Sequence, residues 1–287
     1  MRLKEARVAV VGLGLMGGSL AGALTQRDLC AQVTGVARRA EVCRRAEALG
    51  FVHEGTMDLE SAVRSGDLVV LATPVRTVLE LLPQVGNVAR PGAVILDLGS
   101  TKRQICQAME DLPAGLDPVG GHPMCGRERS GLEAATPDLY EGAPFVLTPL
   151  PRTSGEALGL AEELATGIGA RPLCLSPDRH DRLVGAASHL PYLLAVALVR
   201  LAARVGQADA GVWELAASGF RDTSRLAASD VTMMLDILLT NREPILPLLR
   251  EAQKELGRLS TLLEQGDEEG LRRALTAART ARKEWQP

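Results

Sequence analysis

The sequence predicts an α/β protein: a doubly wound, mostly parallel sheet in residues 1–176 and an all-helical part in residues 177–287. Three observations carry that expectation. Short β-branched runs alternate with helix-length amphipathic stretches as far as residue 176, a glycine-rich turn follows the first run, and beyond Ser176-Pro177-Asp178 no β-like run recurs. Near-continuous apolar strands separated by helices are what a parallel sheet covered on both faces requires, because neither face meets water.

The strand-like runs are, in order, "RVAVVG", "QVTGVA", "DLVVLATP", "AVILDLGS", "DPVGGHP", "APFVLTP" and "RPLCLSP". Directly after the first, Gly12, Gly14 and Gly17 stand in GxGxxG spacing at the mouth of an Ala-rich helix, the pattern of a Rossmann-type dinucleotide unit. Gly12 permits the tight turn, Gly14 lets backbone approach a pyrophosphate, and Gly17 allows close packing of helix on strand. The loop Gly12-Leu13-Gly14-Leu15-Met16-Gly17 is therefore expected to cradle the cofactor, aided by the free N–H groups and positive dipole end of the helix terminus.

The second run ends about 20 residues past the last glycine, where an acid commonly binds a ribose 2′-hydroxyl. Here the position is Ala37, followed by Arg38 and Arg39. Without a carboxylate a 2′-phosphate is not repelled, and two guanidiniums can form charge-assisted bonds with it, so NADP is expected over NAD. The alternative is a pair of solvated arginines on a turn. Thr73-Pro74 closes the third run; proline there frees the loop to lie over the cofactor, or simply stops the strand.

Beyond residue 176 the text turns to long Leu/Ala patterns at helical spacing, among them "HLPYLLAVALVRLAARV" and "PILPLLREAQKELGRLSTLLEQ". A helix as apolar around its girth as 183–203 must be buried on most sides, so a homodimer built through the helical part is expected, against the alternative of a self-contained bundle. The uncharged window Leu183 to Val199 is slightly short for a membrane span and contains His189 and Pro191.

A net charge of -3, from 32 basic and 35 acidic residues, gives no global attraction to nucleic acid or anionic membranes. Aromatic residues at 2 % leave no stacking platform for single-stranded nucleic acid. Five scattered cysteines without a CxxC fit a reducing compartment, and the N-terminus lacks a signal peptide's apolar region, so a cytoplasmic protein is expected. No Cys/His/acid cluster has metal-ligand spacing.

Three segments carry groups suited to chemistry. "DLGSTK" is expected to expose Ser100 and Lys102 after a buried strand; "GGHPMCG" holds His122 in a turn; "SGFRDTSR" combines Arg221, Asp222 and Arg225. A neutral imidazole with an ordinary pKa of about 6.5 is suited to accept or polarise a hydroxyl proton, which makes His122 the catalytic candidate and Ser100 its orienting partner. Arg221 is hard to explain as core, since guanidiniums are rarely buried without a partner; a substrate carboxylate is one such partner and Asp222 another, while Arg225 reads as structural. His189 is either a satisfied core histidine or a pocket-facing group. His180-Asp181 reads as a helix N-terminal pair and His53 as surface.

Taken in order, "VGLGLMGGSLA", "ATP", "DLGSTK", "GGHPMCG", "HD", "SHLP" and "SGFRDTSR" resemble the prephenate/arogenate dehydrogenase family of tyrosine biosynthesis, nearly throughout the chain up to about residue 240. "GVARR" looks like the NADP-using, cyanobacterial-type arogenate branch. The resemblance implies oxidative decarboxylation: hydride leaves ring carbon C4 for the nicotinamide, the ring carboxylate leaves as carbon dioxide, and a phenol forms. It further implies that His122 binds and polarises the C4 hydroxyl, that Ser100 hydrogen-bonds that group or the imidazole, and that Arg221 holds a substrate carboxylate. His189 would line the pocket, and the helical domain would form the dimer.

The sequence also departs from the family pattern. Tyr192 follows "SHLP" where many prephenate users have His, and Ser218 precedes Arg221 where some have Asp; Cys125 and Arg127 replace the commoner Ala and Thr. Glu128 resembles an acid of several prephenate users, although an acid near the side chain's amino group favours arogenate on electrostatics. Competing readings are a β-hydroxyacid dehydrogenase or imine reductase of similar plan, and a non-catalytic NADP sensor. Neither accounts for a strand-end Ser, a loop His and an Arg in the helical part together.

Overall fold

The computed structural model describes residues 1–127 and 129–285. One eight-stranded sheet runs in the order β3-β2-β1-β4-β5-β6-β7-β8. Its strands are β1 (Arg7–Val11), β2 (Gln32–Val36), β3 (Glu54–Thr56), β4 (Leu68–Leu71), β5 (Val94–Asp97), β6 (Asp117–Pro123), β7 (Pro144–Pro149) and β8 (Arg171–Cys174). All seven expected strands form; the addition is β3, whose three residues are too short to carry an alternating signal.

Side chains alternate across the sheet as the pleat dictates. Val8 and Val10 enter one core with Leu20 and Leu24 of α1 (Leu15–Gln26) and Leu160 and Leu164 of a later helix, Gly155–Gly167, while Ala9 and Val11 enter the other. Between these lie α2 (Ala40–Ala48), α3 (Leu59–Ser65), α4 (Val75–Val88) and α5 (Arg103–Glu110), which makes Gly155–Gly167 helix α6. Val78 and Leu82 of α4 and Ile105 and Met109 of α5 fill the second core.

Six strands, β3 to β6, are mutually parallel, whereas β7 is antiparallel to β6, with His122 opposite Val146. A parallel return needs a crossover element; between Pro123 and Pro144 the described residues form only a 3-10 turn at Leu132–Ala134, and the chain comes back alongside. The parallel strands bring one set of carboxyl ends to one edge, with the order reversing about β1 and β4, where ligands of open α/β sheets bind. Edge strand β8 is exposed at every residue.

The rest is helical: α7 (Pro177–Val184), α8 (Leu190–Ala208), α9 (Gly211–Glu214), α10 (Ser218–Ser224), α11 (Val231–Thr240), α12 (Arg242–Gln265) and α13 (Glu268–Glu284). Met1–Asn241 forms one compact unit and Arg242–Pro287 a second. Helices α7 to α11 thus belong to the same compact unit as the sheet. Asp236 on α11, for instance, accepts the backbone N–H of Arg76 on α4 at 3.3 Å. Within the second unit, Gly266 (φ 63°) turns the chain and Asp267 caps α13 by accepting the N–H of Gly270 at 2.9 Å.

A π-helical turn, Gly185–His189, joins α7 to α8, and the helical run Pro177–Ala208 is 32 residues long. By length and composition it is apolar enough to cross a membrane, which the shorter uncharged window did not suggest. In the single chain α8 buries only Ala195, while Leu194, Leu201 and Val205 are exposed. One chain therefore does not cover this helix on most sides: the 3-10 turn Arg225–Ala228 and α10 pack against part of it and leave the remainder bare.

Candidate active site

At the carboxyl edge of β1 the glycines take the forms their spacing predicts. Gly12 has φ +104°, a region that disfavours side chains, and a Cβ on it would lie 2.8 Å from Thr73 Cγ2. A Cβ on Gly17 would lie 1.9 Å from the Gly12 carbonyl oxygen, so helix and turn pack too closely for any other residue. Gly14 faces open space and no side chain caps α1 there. An open approach to an uncapped helix terminus fits an anion such as a pyrophosphate.

The two arginines follow the end of β2, which is tied to the glycine turn by the Gly12 N–H donating to the Val36 carbonyl at 2.9 Å. Both are exposed. Arg39 pairs with Glu41 at 2.8 Å, while Arg38 forms no ion pair among the described residues. Past β4, the Thr73 hydroxyl is buried with no hydrogen-bond partner among the described residues, and Pro74 is the N-cap residue of α4.

Lys102 corrects the sequence reading. It is fully buried rather than exposed. Its ammonium binds the buried Asp97 carboxylate at the end of β5 and donates to the Gly121 carbonyl at 2.7 Å. Asp97 in turn accepts the N–H groups of Gly99 at 2.7 Å and Gly121 at 3.1 Å. A buried ion pair persists only when its remaining donors and acceptors are satisfied, and here the satisfaction clamps the β5 and β6 ends together beside His122.

His122, near the end of β6, is partly exposed. Its Nδ1 lies 2.8 Å from Nε2 of His180 on α7, and His180 Nδ1 lies 2.8 Å from Asp181 Oδ1. No hydrogen bond joins His122 to Ser100, which is partly exposed after β5, so the orienting partner of the imidazole is His180. His180 and Asp181 lie early in α7, where the sequence reading put a helix N-terminal pair, and both are buried. The signal was present, since buried His180, Asp181 and Val184 occupy one face of α7 at i, i+1 and i+4 spacing. Asp181 also caps α5, accepting the backbone N–H groups of Lys102 at 2.7 Å and Arg103 at 3.0 Å.

Electrostatics follow from this packing. Burial, with adjacent His180, Lys102 and His189, holds His122 well below its ordinary 6.5, so the imidazole is neutral. Burial pushes the Asp181 carboxyl up, but hydrogen bonds from His180 and the Arg103 and Lys102 backbone outweigh it and keep the group below its usual range. His189, buried in the π turn, sits at about 4, chiefly by burial. Its Nδ1 is 2.9 Å from Asn241 Nδ2, which also donates to the Asp181 carbonyl at 2.8 Å.

Arg221 on α10 is 77 % exposed and pairs with Asp222 at 3.5 Å, so the guanidinium is available to a ligand. Tyr192 is partly buried on α8, and Ser218 opens α10. Cys125 packs against the core and burial pushes its thiol to about 11, while Arg127 is exposed. His53 is exposed, as expected, and its Nδ1 accepts the Val33 N–H at 3.0 Å. Glu128 lies outside the described residues.

Comparison with known proteins assigns both parts of the chain. The family model "Prephenate dehydrogenase, nucleotide-binding domain" matches residues 20–173, and "Prephenate dehydrogenase, dimerization domain" matches residues 176–277. A prephenate dehydrogenase of Bacillus subtilis is 34 % identical over 277 residues, 96 % of this chain and 75 % of the relative. The crystal structure of prephenate dehydrogenase from A. aeolicus with hydroxyphenyl propionate and NAD+ superposes with a TM-score of 0.91 at 32 % identity, covering 99 % of this chain and 98 % of the other. Synechocystis arogenate dehydrogenase superposes with a TM-score of 0.82 at 31 % identity, covering 98 % and 100 %.

Proposed function

The chain belongs to the prephenate dehydrogenase family, as an NAD(P)-dependent dehydrogenase of tyrosine biosynthesis, and on that premise we propose how its residues divide the work. The reaction is the oxidative decarboxylation of arogenate to tyrosine, of prephenate to 4-hydroxyphenylpyruvate, or of both. The observation that carries the residue assignment is the place of His122 near the end of β6, with its Nδ1 2.8 Å from His180 Nε2, and burial that favours the neutral imidazole supports it.

Residues 1–176 serve the coenzyme and 177–287 the substrate and the dimer. Gly12, Leu13, Gly14, Leu15, Met16 and Gly17 hold the pyrophosphate, with Thr73 and Pro74 closing over the coenzyme. Arg38 and Arg39 bind a 2′-phosphate, so the coenzyme is NADP. The support is the exposure of both guanidiniums, the unpaired state of Arg38 among the described residues and the alanine where an acid would repel a phosphate. Once bound, the nicotinamide supplies the hydride acceptor.

His122 draws the proton of the C4 hydroxyl while the C4–H bond leaves as hydride. The bond to the departing carboxylate supplies the electron pair that completes the aromatic ring, and the proton returns to the phenolic oxygen. The imidazole therefore ends neutral, and a base held well below 6.5 suits a proton it must give back. Ser100 hydrogen-bonds the same hydroxyl, His189 lines the pocket, and Arg221 holds a substrate carboxylate.

A second copy covers the apolar surface of α8 and completes a homodimer, in line with the family model matched over residues 176–277. The reading includes a cytoplasmic location, supported by five free cysteines. The test is formation of reduced coenzyme from arogenate and from prephenate, each with NADP and with NAD. Turnover of at least one substrate, faster with NADP, is expected; turnover of neither would end the proposal.

A further inference from the structure

A carboxylate can only accept hydrogen bonds, so His180 Nδ1, 2.8 Å from Asp181 Oδ1, must carry a proton. When this is the only proton on the His180 ring, its Nε2 is a lone pair. That lone pair lies 2.8 Å from His122 Nδ1, which must then be protonated, and the His122 lone pair is forced onto Nε2. We propose that Asp181 and His180 form a positioning pair that sets the tautomer and direction of His122, so that its Nε2 is the acceptor offered to the substrate hydroxyl. The inference rests on the catalytic reading of His122 given above.

The surroundings leave little freedom to this chain. Both Asp181 oxygens are engaged by the start of α5, through the N–H groups of Lys102 and Arg103, so the carboxylate cannot rotate away. His180 is fully buried, and its ring meets that of His122 at 73° with centroids 5.0 Å apart. The Lys102 ammonium, donating to the carbonyl of Gly121, fixes the backbone next to His122.

His189 supplies an internal control. The carbonyl of Asp181 can only accept, so the Asn241 group facing it is the NH2, and that group also faces His189 Nδ1. His189 Nδ1 therefore accepts, and its proton sits on Nε2. Two histidines in one unit thus carry opposite tautomers, each set by its neighbour.

The test uses the full-length protein labelled with 15N-histidine, whose long-range 1H–15N spectra separate protonated from bare ring nitrogens; four histidines are assigned by single His→Gln variants. Expected are His122 and His180 protonated at Nδ1 and His189 at Nε2. In His180→Ala the His122 preference for Nδ1–H should be lost and kcat should fall about a hundredfold with coenzyme affinity retained, the cost of a misplaced proton on a catalytic imidazole. His180→Gln, whose side-chain carbonyl can accept from His122 Nδ1, should restore most of both. His122 protonated at Nε2 in the unaltered protein overturns the proposal, as does a Gln variant no better than Ala. If His122→Asn itself left turnover intact, the catalytic reading would fail while the tautomer assignment survived, so the two failures are distinguishable. Asp181 is unsuited to the primary test because its substitution also removes the cap of α5.

Discussion

The imidazole of His122, near the end of strand β6, meets that of His180, on helix α7, at 2.8 Å across 58 residues of chain. One contact thereby joins the sheet that carries the glycine turn to the first helix of the region matched by the dimerization-domain model.

Replacing His122 by Asn keeps the β6 backbone pairing but removes the Nε2 lone pair. Turnover should drop by about 10²- to 10⁴-fold with NADP binding preserved, measured by steady-state kinetics and coenzyme titration. Unchanged turnover would strip the residue of its assigned part.

The pH profile should show the same group. Burial, His180, Lys102 and His189 all disfavour the protonated His122, so kcat/KM should hold as pH falls through 6.5 and decline only well below it. An acid limb at or above 6.5, traced to His122 by its loss in a variant, contradicts this environment.

Stability should carry a separate signature from His189. Its folded-state pKa of about 4 lies below the ordinary 6.5, so the unfolded chain binds the extra proton first. The stabilisation from keeping this ring neutral is complete above 6.5 and is lost as pH falls toward 4, by roughly 3 kcal/mol in all. Urea unfolding across that window should be steeper in pH for the native sequence than for His189→Gln; equal slopes would rule the histidine out.

Coenzyme choice should respond to charge at the end of β2. Ala37→Asp combined with Arg38→Ala installs a ribose-binding acid and removes the unpaired guanidinium, and should shift preference toward NAD by about ten- to a hundredfold, the worth of one charge-assisted bond. Arginines that are merely solvated predict no shift.

Arg221→Ala should mainly raise the substrate KM, by about ten- to a hundredfold, with coenzyme affinity unchanged. Since Arg221 is exposed and its ion pair to Asp222 is on the surface, little stability should be lost. A normal KM counts against carboxylate binding.

The glycine turn was readable because its causes are local: Gly12 needs a left-handed φ, and Gly17 touches its own turn five residues back. Strand runs were readable for the same reason, since alternation and apolar continuity are properties of neighbouring residues. What misled was burial of polar groups. Lys102 looked exposed although its ion-pair partner Asp97 is only five residues back, and the burial of His180 and Asp181 did not show because the contact of His180 with His122 spans 58 residues. The apolar girth of α8 showed that it needs covering but could not say which chain supplies the cover.

By itself, then, the sequence determined the α/β-then-helical order, the tight glycine turn at Gly12 to Gly17 and the absence of an acid at Ala37. Only the tertiary structure decided that Nδ1 of His122 faces His180, that Asp97 and Lys102 pair in the buried interior, and that β7 runs against β6. Backbone conformation and periodicity are set over a few residues, whereas protonation, tautomer and ion pairing depend on groups that only the folded chain brings within 3 Å of each other.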